Sequence, residues 1–207
     1  MQNLSETNLS QTLAHITMEL HEENIVSPFS REDEENFDKY QSPFKEAAVL
    51  IPFVKRDNAP YIILTKRTLS LSKHKGQIAF PGGKIDQEDL SPSHAAIRET
   101  SEEIGLEPNQ IKILGKLPLY QTVTGYNITP IVGEVSPPYI YKKAEEEVED
   151  IFELPFNLLL DLNNFKRESM IFKERRREFW VLPYKDYYIW GATAAILREL
   201  AGRFKTD

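Results

Sequence analysis

Cysteine is absent from all 207 residues. That absence removes disulfide staples, thiolate metal ligands and a cysteine nucleophile together, and it agrees with a reducing compartment. Any metal site here is therefore built from oxygen or imidazole. Long apolar runs are missing too: no stretch approaches the roughly 18 consecutive apolar residues of a membrane span. The opening MQNLSETNLSQ has neither the basic head nor the apolar run of a signal peptide. The expectation is a soluble, cytoplasmic protein without a membrane partner. An excess of positive charge is the third thing lacking. The formal net charge is -7, so nucleic acid finds no general electrostatic footprint, and a polyanionic ligand needs a local basic patch or a bound cation. Neither internal repeats nor low-complexity segments occur.

What is present suits one folded domain with an appended arm, since 41% hydrophobic residues over this length can bury a sizeable core. Residues 1–44 read as an acidic N-terminal arm, partly helical around Ser10 to Glu23, with the charged run REDEENFDK after it. From residue 45 to 207 the pattern is that of a domain. AAVLIPFV (47–54) and YIILTKR (61–67) are β-branched and apolar around the turn residues RDNAP, which predicts a hairpin. GQIAFPGG (76–83) predicts a short strand ending in a Pro-Gly-Gly turn. SPSHAAIRETSEEIGL predicts a helix with Ser91 as N-cap, Pro92 in the first position and Gly105 to end it. Further strands are expected at 111–118 and 128–135, a short helix near Pro155 to Asp161, a hairpin through IFKERRREFWVLP and a helix from about Trp190 to Phe204. In that last helix Ala195, Ile196 and Leu200 share an apolar stripe. Phe80, Trp180 and Trp190 are expected in the core. The fold class is α/β (α+β), a mixed sheet with a few helices.

Glu99, Glu102 and Glu103 stand at i, i+3 and i+4 of the first of these helices, so they share a face that Ile97 and Ile104 largely avoid. Like charges so placed cost a few tenths of a kcal/mol per pair, roughly, and Arg98 partly offsets this through its i+4 partner Glu102. A solvated acidic face is the ordinary explanation of such a run. A hard divalent cation such as Mg²⁺ is the alternative, because it takes carboxylate oxygens and completes its shell with water and substrate phosphates. The Gly82-Gly83 pair just before the helix lets backbone approach a ligand closely, which favours the second explanation.

These residues resemble the Nudix hydrolase signature: Gly, five residues, Glu, seven residues, then Arg-Glu-aliphatic-x-Glu-Glu-x-Gly-aliphatic. Arg98, Glu99, Glu102, Glu103, Gly105 and Leu106 match its second half. Thr100 replaces the aliphatic residue, and counting from Gly83 the first acid is Asp89, with eight residues rather than seven between it and Arg98. That spacing and the approach LTKRTLSLSKHKGQIAFPGGKID (64–86) resemble the coenzyme A pyrophosphatase branch through Arg67, Gly76, Gln77, Phe80, Pro81, Gly82 and Gly83. The second basic position of the branch pattern holds Ser72, followed by Lys73. The resemblance covers about residues 45–204.

It implies a Nudix-type mixed sheet sandwiched between helices and metal-dependent hydrolysis of a diphosphate bond, with Mg²⁺ or Mn²⁺ as cofactor. Glu99, Glu102, Glu103 and a carbonyl of Gly83 would be the metal ligands. Glu99, Glu102 and Glu147 are the catalytic candidates, with Glu99 or Glu147 as general base; the plain alternative for Glu147, in AEEEVED, is a solvated loop. Arg67, Lys73, Gly82 and Tyr126 are the substrate-binding candidates, Arg67 and Lys73 lying in a local basic patch with Lys75, and Arg98 and Gly105 are structural parts of the motif. The implied partner is a coenzyme A-like nucleotide, with a homodimer possible by analogy. Two other activities stay open: hydrolysis of another nucleoside diphosphate derivative such as ADP-ribose or a nucleotide sugar, and a non-catalytic binding or regulatory domain on the same fold.

Overall fold

The computed structural model describes residues 43–57, 59–69, 75–172 and 174–204. The arm up to residue 42, with its expected helix from Ser10 to Glu23, and residues Ser72, Lys73 and His74 lie outside them. The described residues begin with β1 (Lys45–Arg56), which turns at Asp57 into β2 (Ala59–Arg67), pairing Arg56 with Ala59 in the expected antiparallel hairpin. Two short strands follow, β3 (Ile78–Ala79) against β2 and β4 (Gly82–Lys84) against β1. Helix α1 (Pro92–Ile104) comes next, then β5 (Ile111–Lys116), β6 (Tyr120–Gln121) and β7 (Tyr126–Val135). Strand β7 runs parallel to β1, while the other pairings are antiparallel, so the sheet is mixed, with the order β3-β2-β1-β7-β5 along its main path.

Strand β8 (Val148–Pro155) pairs with β2. It was not evident in the sequence, where acidic residues on either side of it suggest a loop. Its alternation is nonetheless that of a strand with two covered faces: Phe152 and Leu154 pack into one cluster of apolar side chains and Ile151 into the other. Helix α2 (Asn157–Leu160) follows as expected, and then a separate three-stranded sheet of β9 (Lys166–Phe172), β10 (Arg175–Tyr184) and β11 (Tyr187–Trp190). Helix α3 (Ala192–Arg203) closes the described chain. It begins two residues later than the sequence suggests, because Trp190 is still paired with Val181 in β11 and Gly191, at φ 64°, makes the turn. Trp180 and Trp190 are half-buried rather than core, whereas Phe80 is buried. Trp180 lies under the guanidinium groups of Arg167 and Arg198, 4.8 and 4.0 Å from its ring centre.

Strand β1 shows why helices cover both faces of the large sheet. Ala48, Leu50 and Val54 pack with Ala95, Ala96 and Ile104 of α1. Ile51 and Phe53, one position out of phase, pack with Leu197, Leu200 and Ala201 of α3. An apolar run with period two on both faces fits a central strand, and each fully buried Leu, Ile or Phe contributes about 1.5–3 kcal/mol. Among the described residues no helix is long and apolar enough to cross a membrane.

Candidate active site

Helix α1 carries the glutamates, and its two ends are fixed as the sequence implies. The Ser91 hydroxyl accepts from the His94 N–H at 3.1 Å, and Gly105, at φ 71°, closes the last turn by donating to the Ser101 carbonyl at 2.9 Å. Thr100, where the family motif has an aliphatic residue, is buried and satisfies its hydroxyl on the Ala96 carbonyl at 2.6 Å. Two further carbonyls of the helix end accept from the connection between β7 and β8: Lys142 N–H donates to Ile104 and Ala144 N–H to Glu103, both at 2.9 Å. The same connection ends at Glu147, whose carbonyl accepts from the Thr68 N–H at 2.9 Å. Helix, β2 and Glu147 are thus tied together by backbone.

Strand β4 supplies the floor. The Leu50 N–H donates to the Pro81 carbonyl at 2.9 Å, and Ala48 and Val49 lie opposite Gly83 and Gly82. The two glycines are needed for different reasons. A Cβ on Gly82 would overlap the Ala48 carbonyl oxygen and stand 2.6 Å from the Val49 Cα, so this glycine permits the approach of two strands. A Cβ on Gly83 would land on the Glu99 carboxylate, 2.5 and 2.6 Å from its oxygens, so this one makes room for a site side chain.

The glutamates do not share one environment. Glu103 is buried, 5% exposed, with one oxygen 3.3 Å from the Gly82 N–H and the other 3.3 Å from Arg67 Nη1. Burial pushes its carboxyl up to about 7; Arg67 and the Gly82 N–H oppose this, and Glu99 and Glu147 reinforce it. Glu99 is raised as well, first by burial, against the pull of Arg98 and with help from Glu102 and Glu147. Glu102 is turned to solvent at 61% exposure, and Arg98 Nη1 lies between Glu99 and Glu102 at 3.1 and 3.2 Å. The convergence expected of three carboxylates is thus close for Glu99 and Glu103, with Glu102 at the rim. Among the described residues no three His, Asp or Glu side chains are gathered in a finished cation cage; arginines stand between them instead.

Arg98 is anchored by Asp89, the acid at the shifted position of the motif. Its Nε and Nη2 reach the two Asp89 oxygens at 3.1 and 2.9 Å, and Nη2 also donates to the Lys84 carbonyl at 3.3 Å. The Arg98 contact, aided by the Asp86 N–H and His94, holds the Asp89 carboxyl well below the usual carboxylate range despite burial. Arg67 also sits differently from the sequence expectation of an open basic patch: Nη1 faces Glu103 and Nη2 lies 3.6 Å from Glu147. Lys75 is exposed in the turn before β3. Tyr126 starts β7, where its N–H donates to the Thr122 hydroxyl at 2.9 Å and its ring lies 5.9 Å from Lys45 Nζ. Sequence reasoning missed the Arg67–Glu103 contact, which joins residues 36 positions apart; no local pattern signals a pairing of that range.

The donors present are carboxylate and backbone oxygens, two of the carboxylates desolvated and lacking full compensation. That set fits a hard divalent cation. The NUDIX domain profile matches residues 44–178, about two thirds of the chain. The chain belongs to the Nudix hydrolase family. It is 41% identical over 157 residues to a protein described as uncharacterized Nudix hydrolase NudL from Escherichia coli strain K12, covering 76% of this chain and 81% of that one. The same identity and coverage relate it to the protein of that description from Shigella boydii serotype 18. Among solved structures, the MutT protein from Methanosarcina mazei Go1 aligns with a TM-score of 0.51 at 16% identity, over 81% of this chain and 99% of that one, which is a likeness of fold. Nudix hydrolases generally use Mg²⁺ or Mn²⁺, in keeping with the donors described.

Proposed function

We propose that this Nudix hydrolase cleaves the diphosphate bond of coenzyme A or its acyl derivatives, giving 3',5'-ADP and 4'-phosphopantetheine or its acyl form. The observation that carries the substrate class is the run LTKRTLSLSKHKGQIAFPGG, which ends on the glycine floor of the glutamate site and starts on the strand that brings Arg67 to Glu103. Glu99, Glu103 and the backbone at Gly83, with Glu102 at the rim, would hold a Mg²⁺ or Mn²⁺ ion, which would supply neutralisation of diphosphate charge and a more acidic water.

The chain's own residues do the rest. Gly82 lets β4 close against β1 and Gly83 makes room for the Glu99 carboxylate, so this backbone stands directly beside the glutamates that a diphosphate would meet. Glu147, half exposed beside Arg67, and Glu99 are the two carboxylates able to accept the proton of the attacking water. Of these, Glu147 is the more open to solvent and lies on the connection rather than on the helix. Arg98, fixed by Asp89, orients Glu99 and Glu102 through Nη1. A second reading, a different nucleoside diphosphate derivative such as ADP-ribose, is favoured by Ser72 in place of the second basic residue of the coenzyme A pattern.

Product analysis by mass after incubation with coenzyme A, ADP-ribose and a nucleotide sugar tests this. The expected result is release of 3',5'-ADP from coenzyme A that requires Mg²⁺ or Mn²⁺. Turnover of ADP-ribose alone would replace the substrate while leaving the chemistry in place.

A further inference from the structure

Two arginines share the carboxylates of the site, and they are held in different ways. Arg98 is anchored from behind by both oxygens of buried Asp89 and by the Lys84 carbonyl, and only Nη1 faces Glu99 and Glu102. Removing its guanidinium would leave a buried carboxylate without its counter-charge, which is strongly unfavourable. Arg67 is fixed through its backbone: its N–H donates to the Gln77 carbonyl at 3.0 Å and its carbonyl accepts from Gly76 at 3.1 Å, beside a bulge in the pairing of β2 with β8.

Its guanidinium has no comparable anchor among the described residues, where its ion pairs are with Glu103 and Glu147 at 3.3 and 3.6 Å. Both distances are long for a charge-assisted contact, which settles at about 2.7–2.9 Å when geometry is good. The Arg67 side chain is also 26% exposed while Glu103 is 5% exposed. Arg67 therefore reaches solvent while the carboxylate it contacts is buried.

Resting on the reading of the site as a cation-dependent diphosphatase, we propose that Arg67 is an exchangeable internal counter-cation. It holds Glu103 and Glu147 until a divalent cation takes Glu103, and the guanidinium so released from Glu103 binds an oxygen of the substrate diphosphate. A doubly charged ion draws Glu103 more strongly than a single guanidinium at 3.3 Å does. The freed planar fork matches a phosphate in two parallel hydrogen bonds. Arg98 stays in place throughout because Asp89 holds it, so one arginine preserves the site's geometry and the other exchanges partners.

The test measures binding to the full-length chain without turnover. Calorimetric titration of the metal-free protein with Mn²⁺ compares wild type with Arg67→Met. Arg67→Met is expected to bind Mn²⁺ about fivefold more tightly, since a competing charge is gone. With Mn²⁺ saturating, Arg67→Met is expected to bind methylenediphosphonate about tenfold more weakly, the loss of a charge-assisted pair.

Equal or weaker Mn²⁺ binding by Arg67→Met, or no Mn²⁺ binding by wild type, would overturn the proposal. Tighter Mn²⁺ binding with undiminished diphosphonate binding would overturn the exchange. If Arg67→Met does not fold, Arg67→Lys keeps the charge without the fork: Mn²⁺ affinity is expected within about twofold of wild type and diphosphonate binding to fall, and undiminished diphosphonate binding would again overturn it. Neither readout uses coenzyme A, so a failure of the substrate reading leaves this result independent.

Discussion

Two clusters in this protein are built from the same parts and come out electrically opposite. At the edge of the sheet Arg56 grips Glu153 in a fork, with Nε and Nη2 at 2.9 and 2.6 Å, and the Tyr141 hydroxyl donates to the same carboxylate at 2.6 Å. The Tyr139 ring lies against the guanidinium at 4.4 Å. Burial alone would raise the Glu153 carboxyl, but the hydrogen bonds from Arg56 and Tyr141 outweigh it and bring the group below its ordinary value. In the candidate active site Arg67 meets Glu103 at 3.3 Å, burial wins, and the carboxyl rises to about 7. An arginine beside a glutamate therefore says little by itself. Geometry and the number of donors decide whether the pair is a rivet or a site kept short of counter-charge.

Neutralising the acid should separate the two clusters most clearly. Glu103→Gln is expected to lower kcat by on the order of 10²- to 10³-fold, a range typical of losing one transition-state stabilising group. The thermal midpoint of the metal-free variant should stay equal or rise, because an under-compensated buried charge is gone. Glu153→Gln should do the reverse, costing about 1–2 kcal/mol of stability through the lost fork and hydroxyl contact while kcat changes little. Steady-state kinetics and chemical denaturation on both variants check this, and a Glu103→Gln protein that unfolds early would break the contrast.

The glycine pair sharpens it further. Gly82→Ala forces a methyl into the β1 backbone and should destabilise the fold by about 1–3 kcal/mol, as overpacking does. Gly83→Ala meets a carboxylate that can swing aside, so its cost should fall on activity and on Mn²⁺ affinity, with a smaller shift in the unfolding midpoint.

The last effect is in pH. The Glu103 carboxyl is higher in the folded chain than its ordinary 4.5, so its contribution to stability is present below about 4.5 and is lost as pH rises through about 7. Glu153 is depressed, so its contribution is present above the ordinary carboxylate range and is lost on acidification below it. With chelator present, the unfolding midpoint of wild type measured against that of Glu103→Gln should fall between pH 5 and about 8. A flat difference over that window would show that Glu103 is compensated like Glu153.

Local chemistry was legible at the level of elements. The Ser91 cap, Pro92 and the Gly105 stop placed α1 because each acts within one turn of chain. The spacing of Glu99, Glu102 and Glu103 put them on one face because helical geometry does so everywhere. Strand β8 was hidden by acidic residues that its edge and bulge tolerate, and the start of α3 was overridden by the pairing of Trp190 with Val181.

The sequence by itself determined helix α1 and most of the strands, the family motif and the identity of the oxygen donors, since these rest on spacing along one chain. Tertiary structure alone decided that Glu103 is buried while Glu102 is not, and that Asp89 anchors Arg98. It also decided that Arg67, 36 residues away, stands as counter-charge to Glu103. Burial and the charges facing a carboxylate come from several strands at once, and no single stretch of sequence holds that sum.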